Sequence, residues 1–379
     1  MATNPQQNKP AVPPAPSNPR KQAMDPVQMV EYNTAIETLN RVEGTKWPMI
    51  DAHVHVVDFT QRISSLKELL HYMDKTNVKK SVVFGLPVTK QHLETERDRP
   101  VYYLDDESPV YYYSMTDVIL AEEYLKLDAE ERGRLYPTIC GINCADRYAI
   151  EHVKRMFDTY PGVFRGVGEI FFRHDDLTLM TAGEVPRPNN KTMFPVYEFC
   201  SEYGLPLTLH HNITSVGVSS YPKYLHELEE TLQKFPKLKA VFCHCGVSRR
   251  VNAPYYTNMI DRLLREYPGL YVDYAWVVFD EMIYKNKQVQ QNWLELTEQY
   301  SDRILIGSDV IGNFEKMGII NSRFNPFLEA LSQTARDNLC INNAERLWGD
   351  TQNRVEDGRK RKYPSLSQVE LEPQRPAAD

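Results

Sequence analysis

The apolar residues of this chain fall into eight short runs separated by amphipathic stretches. Each run is rich in β-branched residues and is bounded by Gly, Pro or Asn, as expected of strands buried on both faces of a parallel sheet. Most runs begin roughly 30 to 40 residues after the previous one, which leaves room for a helix. The runs are WPMIDAHVHVV (47–57), KSVVFGLPV (80–88), RLYPTICGIN (134–143), FRGVGEIFF (164–172), LPLTLHHNI (205–213), LKAVFCHCG (238–246), LYVDYAWVVF (270–279) and RILIGSDVI (303–311).

Two of the intervening stretches have a clear helical pattern. LHELEETLQKF (225–235) and YTNMIDRLLREY (256–267) place apolar residues three and four positions apart, and Phe-Pro or Tyr-Pro-Gly ends each one. Eight buried strands that alternate with helices predict an α/β fold of the (β/α)8 TIM-barrel class. The alternative is a doubly wound open sheet. That fold favours a Gly-rich phosphate loop after the first strand, and this sequence has none there.

Composition predicts one folded domain between two tails. The 379 residues are 42% hydrophobic and 25% charged, which is sufficient for a large core. Residues 1–25 are rich in Pro, and residues 351–379 mix charge runs with Pro and Ser, so we expect both tails to be disordered. Residues 26–350 show no linker or internal repeat and are predicted to form a single TIM-barrel domain.

Net charge limits the class of binding partner to expect, and cysteine content indicates the cellular compartment. A net charge of −7 argues against nucleic-acid binding, which needs a basic face, and leaves a small-molecule substrate as the expected partner. We find no run of about 18 apolar residues that would span a membrane, and no secretion signal. The six cysteines lie in apolar stretches, which indicates a reduced compartment, and we expect a cytoplasmic protein.

Histidines and carboxylates follow the predicted strands at their carboxyl ends. A (β/α)8 barrel places its active site at that face, because the loops after the strands converge there. His53 and His55 are two positions apart on the first strand and therefore point to one face. Imidazoles with a carboxylate favour Zn²⁺ or a similar divalent ion with a position open for water. The set is His53, His55, Glu169, His210, His244 and Asp309.

From about Met49 to Gly349 the sequence resembles the amidohydrolase superfamily, in the branch that includes aminocarboxymuconate-semialdehyde decarboxylase. The resemblance implies a TIM barrel, a divalent metal (Zn²⁺ in the first place, with Mn²⁺ as the alternative) and a hydrolase of small molecules. The motifs that carry it are IDAHVH (50–55), GEI of the fourth strand, LPLTLHH (205–211), FCHCG (242–246), IGSD (306–309) and NNAERLWG (342–349).

The resemblance also implies roles for five residues. His53 and His55 match the metal ligands of the first strand, and His210 matches the ligand of the fifth. Asp309 matches the carboxylate of the eighth strand, which binds metal and takes a proton from the attacking water. His244 matches the histidine of the sixth strand, which either binds a second metal or polarises the substrate.

Four further residues beside these ligands have open roles. Glu169 resembles the fourth-strand glutamate of TatD-type members, and we expect it either to bind metal directly or to hydrogen-bond a ligand. Strand alternation points His211 away from His210, which suits a supporting or substrate-side role. Cys243 and Cys245 flank His244, and the same alternation favours packed thiols over a zinc site or a nucleophile.

Substrate-binding candidates come from the loops. An arginine above the pocket would bind a carboxylate in bidentate fashion, which makes Arg173 and Arg249 candidates, with a salt bridge inside the loop as the alternative. Trp276 is placed to stack on a ring or, alternatively, to pack on the barrel rim. The insertion over 89–117 carries clustered tyrosines and suggests a lid, a subunit contact or a surface excursion. The tyrosine-rich insertion and the family resemblance together make a homodimer a possible assembly to consider.

Three functions follow from these residues. The first is a metal-dependent hydrolase of an amide, lactone or related C–N or C–O bond, with Asp309 as general base. The second is a metal-dependent, non-oxidative decarboxylase of an aromatic or unsaturated acid. Val310-Ile311-Gly312 after the aspartate lacks the Tyr-Pro of several family decarboxylases, which favours hydrolysis. The third, a non-catalytic scaffold, predicts the loss of a ligand, and every ligand is present.

Overall fold

Eleven strands define the architecture of the computed structural model, which describes residues 44–92, 100, 102–103, 108–178, 181–248 and 255–362. Nine strands form one parallel sheet, and β3 and β4 pair as an antiparallel hairpin within the insertion. All eight predicted runs contain a strand of the parallel sheet. The strands are β1 Met49–His55, β2 Val78–Phe84, β3 Val88–Lys90, β4 Val110–Tyr112, β5 Leu135–Ile139, β6 Gly166–Phe171, β7 Pro206–His210, β8 Lys239–Phe242, β9 Leu270–Asp273, β10 Ile304–Leu305 and β11 Val310–Ile311.

The parallel sheet closes on itself through the last apolar run. The strand order is β10-β9-β8-β7-β6-β5-β2-β1-β11, and β10 and β11 are the two halves of the run 303–311. Between these halves, Ile306 O accepts from Ala52 N at 3.0 Å, and Asp309 N donates to His53 O at 2.8 Å. The eighth run therefore joins β9 to β1, which confirms the predicted (β/α)8 barrel.

Helices follow the strands on the outside of the barrel. The two helices predicted from periodicity are confirmed as α6 (Leu225–Lys234) and α7 (Tyr256–Glu266), which end before Phe235-Pro236 and Tyr267-Pro268. No helix among the described residues is long and apolar enough to cross a membrane. The helices are α1 Leu66–Lys75, α2 Met115–Leu125, α3 Ala129–Arg132, α4 Ala149–Thr159, α5 Phe194–Tyr203, α6 Leu225–Lys234, α7 Tyr256–Glu266, α8 Gln291–Gln299, α9 Met317–Ser322, α10 Asn325–Ala330, α11 Gln333–Asp337 and α12 Arg354–Lys362.

The core has two parts, because each strand is covered on both faces. The larger part lies between the strands and the surrounding helices. The smaller part fills the barrel interior and includes Ile50, Phe84, Val241, Leu305 and Trp348. Trp348 belongs to the helical turn Glu345–Gly349, within the NNAERLWG motif, and is fully buried. The barrel is therefore a packed scaffold that leaves only its rim for chemistry.

The segment after the barrel differs from the expected disordered tail at its start. Helix α12 begins at Arg354, and Val355 on it is buried. Arg354 donates to the carbonyl of Gly204 at the end of α5 at 2.6 Å, which anchors the helix. The expected tail over 1–25 and residues 363–379 of the other tail lie outside the described residues.

Candidate metal centre

The predicted ligands come together at the carboxyl-terminal rim of the barrel. β1 carries two of them, β6 carries one, and β7 ends on another. The fifth lies in the helical turn Cys243–Gly246 after β8, and the sixth lies between β10 and β11. The loops after all of these strands meet at one end of the barrel, so side chains more than 200 residues apart in sequence come together there. They are His53, His55, Glu169, His210, His244 and Asp309.

Four of their atoms lie close together: His53 Nε2, His55 Nε2, Glu169 Oε2 and Asp309 Oδ1. The two Nε2 atoms are 3.3 Å apart. Oε2 of Glu169 lies 3.4 Å and 3.1 Å from them, and Oδ1 of Asp309 lies 3.5 Å from each. Ligands that bind Zn²⁺ tetrahedrally at about 2.0–2.1 Å are about 3.4 Å from one another. The five distances in this first donor set match this spacing, and His53, His55 and Glu169 form a group that could hold a single divalent cation.

A second donor set uses the other oxygens of the same carboxylates. Oε1 of Glu169 lies 3.3 Å from His210 Nδ1 and 3.7 Å from His244 Nε2. Oδ2 of Asp309 lies 3.6 Å from His244 Nε2. Glu169 thus stands between the two sets and contacts both. Glu169 is thus close enough to the other donors to be a direct ligand, which is one of its two expected roles.

Three of the histidines are oriented by oxygen acceptors at Nδ1. Nδ1 of His53 donates to Oδ2 of Asp273 at 3.0 Å, and Nδ1 of His55 donates to the carbonyl of Gly85 at 2.7 Å. Nδ1 of His244 donates to the carbonyl of Ala275 at 3.1 Å. A carbonyl and an ionised carboxylate only accept, so a proton is fixed on Nδ1 and Nε2 is left to face the centre.

Two buried aspartates that support the site were not identified from the sequence. Asp273 at the end of β9 accepts from His53 and also from the backbone N–H of His244 at 2.8 Å. Asp51 accepts from the backbone N–H groups of His53 at 3.1 Å and Ser308 at 2.8 Å, and so ties β1 to the turn that carries Asp309. The available signal was a lone carboxylate inside an apolar strand, as in LYVDYAW.

Without a bound cation, protonated histidines balance the negative charge of the buried carboxylates. Burial disfavours charge on His244, but Asp273 and Glu169 outweigh it and raise its pKa to about 10. Burial likewise opposes charge on His53, and Glu169 with Asp309 raises its pKa well above the ordinary value. Burial alone would raise the pKa of Glu169, but the charge on His53 and hydrogen bonds from the histidines hold it well below its ordinary value. The site is thus built to hold positive charge.

Four residues of the rim adopt left-handed backbone conformations. His244 and Cys245 both have φ of 53°, Trp276 has 58° and Asp309 has 53°. Side chains other than glycine adopt this region at a cost, and such residues concentrate at functional sites. β8 ends at Phe242, so His244 lies in the helical turn Cys243–Gly246, and this turn rather than strand alternation sets the direction of its side chain.

A cavity of about 100 Å³ is lined by residues of both donor sets. His174 stacks on His210 with the ring centres 4.5 Å apart, and Trp276 lies 5.1 Å from the ring of His244. Among the described residues no Lys or Arg lines it. The lining combines donors with aromatic and aliphatic side chains: His55, Phe59, Leu86, Tyr102, Tyr103, Glu169, Phe171, His174, Leu177, His210, His244, Trp276, Asp309 and Ile311.

Of the three substrate-binding candidates, one lines the cavity, one does not, and one lies outside the described residues. Trp276 lines the cavity, as its ring-stacking interpretation requires. Arg173 does not line it: its Nε and Nη2 each donate at 2.7 Å to the carboxylate of Glu227, and its guanidinium covers the ring of Tyr224. The alternative of a salt bridge thus describes Arg173. Arg249 lies outside the described residues, and its role remains a prediction.

His211 and the two cysteines beside His244 are buried and do not line the cavity. Nε2 of His211 donates to the carbonyl of Tyr224, away from His210, and burial lowers the pKa of His211 to about 4. Cys243 and Cys245 lie in a helical turn, so the alternation argument does not apply to them. Both are buried, and burial raises the pKa of each thiol well above its ordinary value. A buried protonated thiol is unreactive, in agreement with packed cysteines.

Comparison with known proteins yields one family match and several similar folds. Residues 50–349 match the family model described as amidohydrolase, and no curated protein matches the chain. An uncharacterised TIM-barrel protein from Bordetella bronchiseptica is 14% identical, with a TM-score of 0.48 over 79% of this chain and 98% of that one. A zinc-bound amidohydrolase from Burkholderia multivorans is 13% identical, with a TM-score of 0.49 over 79% and 99%. A probable 2-pyrone-4,6-dicarboxylic acid hydrolase from Acinetobacter baumannii, with citric acid bound, is 13% identical, with a TM-score of 0.47 over 80% and 99%.

Proposed function

Since the chain belongs to the amidohydrolase family and is an enzyme with a metal-binding histidine cluster, we propose that it hydrolyses a small molecule at a C–N or C–O bond next to a carbonyl. The observation that carries this proposal is the spacing of the first donor set, 3.1–3.5 Å between its measured pairs. Two imidazoles and two carboxylates at tetrahedral spacing favour Zn²⁺, with Mn²⁺ as the alternative.

The chain contributes a general base to this chemistry. A cation held by His53, His55, Glu169 and Asp309 would need a fifth coordination position for water. With that position it would act as a Lewis acid and lower the pKa of the water from 15.7 to about 7. Asp309 both belongs to this donor set and lines the cavity, so its carboxylate is placed to accept a proton from the attacking water. The same carboxylate can then return the proton to the leaving group.

His244 is the second catalytic residue of the proposal. Its Nε2 lies 3.6 Å from Oδ2 of Asp309, and the residue lines the cavity. A proton at Nε2 would stabilise the negative charge that develops on the carbonyl oxygen of the substrate. One such donor typically contributes about 3 kcal/mol to the stability of the transition state.

The cavity lining supports a substrate with an uncharged, planar part. Phe171 and Trp276 supply ring faces, and none of the described lining residues is a Lys or Arg that would bind a carboxylate. The same aromatic lining favours a second candidate, a metal-dependent decarboxylase of an aromatic acid. For that reaction Arg249, outside the described residues, is the expected partner of the acid group.

The test is metal analysis followed by two assays on the same preparation. We expect purified protein to contain Zn²⁺ or Mn²⁺ and to hydrolyse members of a panel of aromatic lactones, amides and esters. Asp309→Asn should abolish turnover, whereas Arg173→Lys, outside the cavity, should not. Release of CO2 from aromatic acids without hydrolysis would favour the second candidate. A folded protein that binds no divalent metal would exclude both.

A further inference from the structure

Three aromatic rings pack together where the insertion meets the cavity. The centre of the Phe59 ring lies 5.4 Å from that of Tyr102 and 4.6 Å from that of Tyr103, and the two tyrosine rings are 4.4 Å apart. All three residues line the cavity. The ring of Tyr103 also lies 6.4 Å from that of His174, which stacks on His210. We call Phe59, Tyr102 and Tyr103 the aromatic wall.

The backbone of Phe59 is attached to the start of the insertion. Its carbonyl accepts from the backbone N–H of Lys90, the last residue of β3, at 2.9 Å. Close by, the side-chain amide of Gln61 donates to the carbonyls of Leu86 and Val88, each at 2.9 Å. The segment after β1 and the segment that leads into the hairpin therefore hold one member of the aromatic wall in place.

The side chain of Lys90 attaches a second member. Lys90 is 5% exposed, and its Nζ donates to the carbonyl of Tyr103 at 3.1 Å and to that of Ser108 at 2.5 Å. Lysine is rarely buried, because the desolvation of an ammonium group is costly unless its donors are engaged. Lys90 therefore bonds Phe59 through its backbone and Tyr103 through its side chain, and so brings the two rings together.

We propose that Lys90 is a positioning residue for the substrate: it holds Tyr103 against Phe59, and the aromatic wall binds a ring of the substrate beside the metal donors. The inference rests on the proposed function, because it assumes that the cavity receives the substrate. Lys90 does not line the cavity, so it acts on the substrate only through the wall.

The size and lining of the cavity define the class of substrate. Its volume is about 100 Å³, and an engineered apolar cavity of about 150 Å³ binds benzene. Leu86, Leu177 and Ile311 add aliphatic contacts to those of the aromatic wall. The substrate that fits is an amide, ester or lactone with a single uncharged ring, whose carbonyl reaches the metal donors while its ring contacts the wall.

Binding of benzamide, an uncharged amide with one ring, tests the inference without turnover. In calorimetric titration of the zinc-loaded protein, Lys90→Met should raise the Kd of benzamide about 10-fold, the effect of losing one well-placed aromatic contact. Methionine keeps a long side chain and removes the three donors. Zinc content should be unchanged. Lys90→Arg, which can donate to both carbonyls, should recover the affinity for benzamide.

Kinetics with benzyl acetate and ethyl acetate separate positioning from a general loss of activity. The two esters share an acyl group and release alcohols of similar acidity, so they differ chiefly in the ring. The wild type should prefer benzyl acetate. In Lys90→Met the KM for benzyl acetate should rise about 10-fold with kcat unchanged, and kcat/KM for ethyl acetate should stay the same.

Lys80→Met is the matched control. Nζ of Lys80 also donates two hydrogen bonds, at 2.8 Å to Tyr136 and at 2.5 Å to Glu345, but Lys80 lies near the start of β2 and does not line the cavity. The control should lose stability and keep the wild-type Kd of benzamide. If Lys90→Met does not fold, Tyr103→Leu tests the wall itself, because it removes the ring and keeps the carbonyl that accepts from Lys90. It should raise the Kd of benzamide to a similar extent.

The outcomes separate this inference from the proposed function. An unchanged Kd of benzamide in folded Lys90→Met or Tyr103→Leu would overturn the inference, as would equal losses of affinity in Lys90→Met and Lys80→Met. A wild-type protein that hydrolyses both acetates without preference would overturn it and leave the hydrolase proposal intact. Binding of benzamide that depends on Lys90, in a protein that hydrolyses no ester, lactone or amide, would contradict the proposed function and leave the role of the aromatic wall standing.

Discussion

Asp273 accepts a hydrogen bond from Nδ1 of His53 at 3.0 Å, so a carboxylate on β9 determines which nitrogen of a β1 histidine faces the metal centre. The other oxygen of Asp273 accepts from the backbone N–H of His244 at 2.8 Å. One side chain therefore orients a histidine of the first donor set and the turn that carries a histidine of the second. Groups of this kind orient ligands and make them more basic.

We predict that Asp273→Asn weakens Zn²⁺ binding about 10- to 100-fold, because the single amide oxygen of asparagine cannot accept from both Nδ1 of His53 and the backbone N–H of His244. Competition with a chelating dye measures the affinity. The matched control is Asp117→Asn. Asp117 is equally buried and accepts from two backbone N–H groups at 2.9 Å and from His152 at 2.7 Å, but it lies outside the centre. The control should lose stability and keep its zinc affinity; equal affinities in both variants would contradict the role of Asp273.

Removal of the metal should lower the thermal stability of the protein. Binding to the folded state alone stabilises it by about 4 kcal/mol when the free ion is a thousand times its Kd. Scanning calorimetry with Zn²⁺ and with a chelator measures the difference in Tm. In His53→Ala the Tm itself should fall, because His53 is buried, but the two scans should coincide, because the variant lacks a first-set ligand. A Zn²⁺-dependent rise in Tm for His53→Ala as large as that of the wild type would place the metal elsewhere.

Zinc affinity should rise with pH. The pKa of His53 is raised well above its ordinary value of 6.5, so near neutral pH the metal-free site holds a proton at Nε2. A cation at Nε2 displaces that proton, and each proton released makes the affinity rise about tenfold per pH unit until the pH reaches the raised pKa. Calorimetric titration of Zn²⁺ at pH 7 in buffers of different ionisation enthalpy measures the number released. Buffer-independent heats would show that His53 does not exchange a proton for the metal.

The barrel and most of its donors were predictable because each depends on local pattern. Apolar runs with flanking Gly and Pro identify buried strands, and a His at the end of a strand is carried to the rim whatever the details of packing. His53 and His55 needed only the two-residue repeat of a strand to be placed together. Glu169 could be located in the same way, but its contact with both donor sets depends on the relative heights of β1, β6 and β7.

The supporting residues were not predictable, because they act through hydrogen-bond direction. Asp51 and Asp273 look like isolated carboxylates in apolar strands, and their hydrogen bonds to Ser308 and His53 depend on how distant segments pack together. The left-handed turns at His244 and Trp276 break strand alternation, so the sequence pattern misplaces the cysteines beside His244. Arg173 suited a carboxylate pocket by its position, and only the packing of Glu227 shows that the guanidinium is already engaged.

Arg173→Met should lower stability without changing catalysis. Glu227 is buried and would lose both hydrogen bonds from the guanidinium, at a cost of about 2–3 kcal/mol. Urea unfolding measures the loss, and Arg173→Met/Glu227→Gln should recover part of it, because the uncompensated charge is removed. The kcat and KM of the folded variant should match those of the wild type. A rise in KM alone would restore the substrate-binding interpretation of Arg173.

Gly168 precedes Glu169 and cannot carry a side chain. A Cβ atom there would lie 2.3 Å from the backbone oxygen of Thr208 and 2.7 Å from its Cβ, and φ is +126°. We predict that Gly168→Ala destabilises the protein by about 3 kcal/mol or more and weakens zinc binding, since β6 must move away from β7 and displace Glu169. Gly183→Ala is the control that separates backbone strain from steric contact. Gly183 also has a positive φ, +109°, but no atom lies within 4 Å of the added Cβ. Gly183→Ala should lose less stability, because it carries only the cost of an unfavourable φ, and its zinc affinity should be normal. If both variants lost stability and zinc affinity to a similar degree, the contact with Thr208 would not be the reason for a glycine beside Glu169.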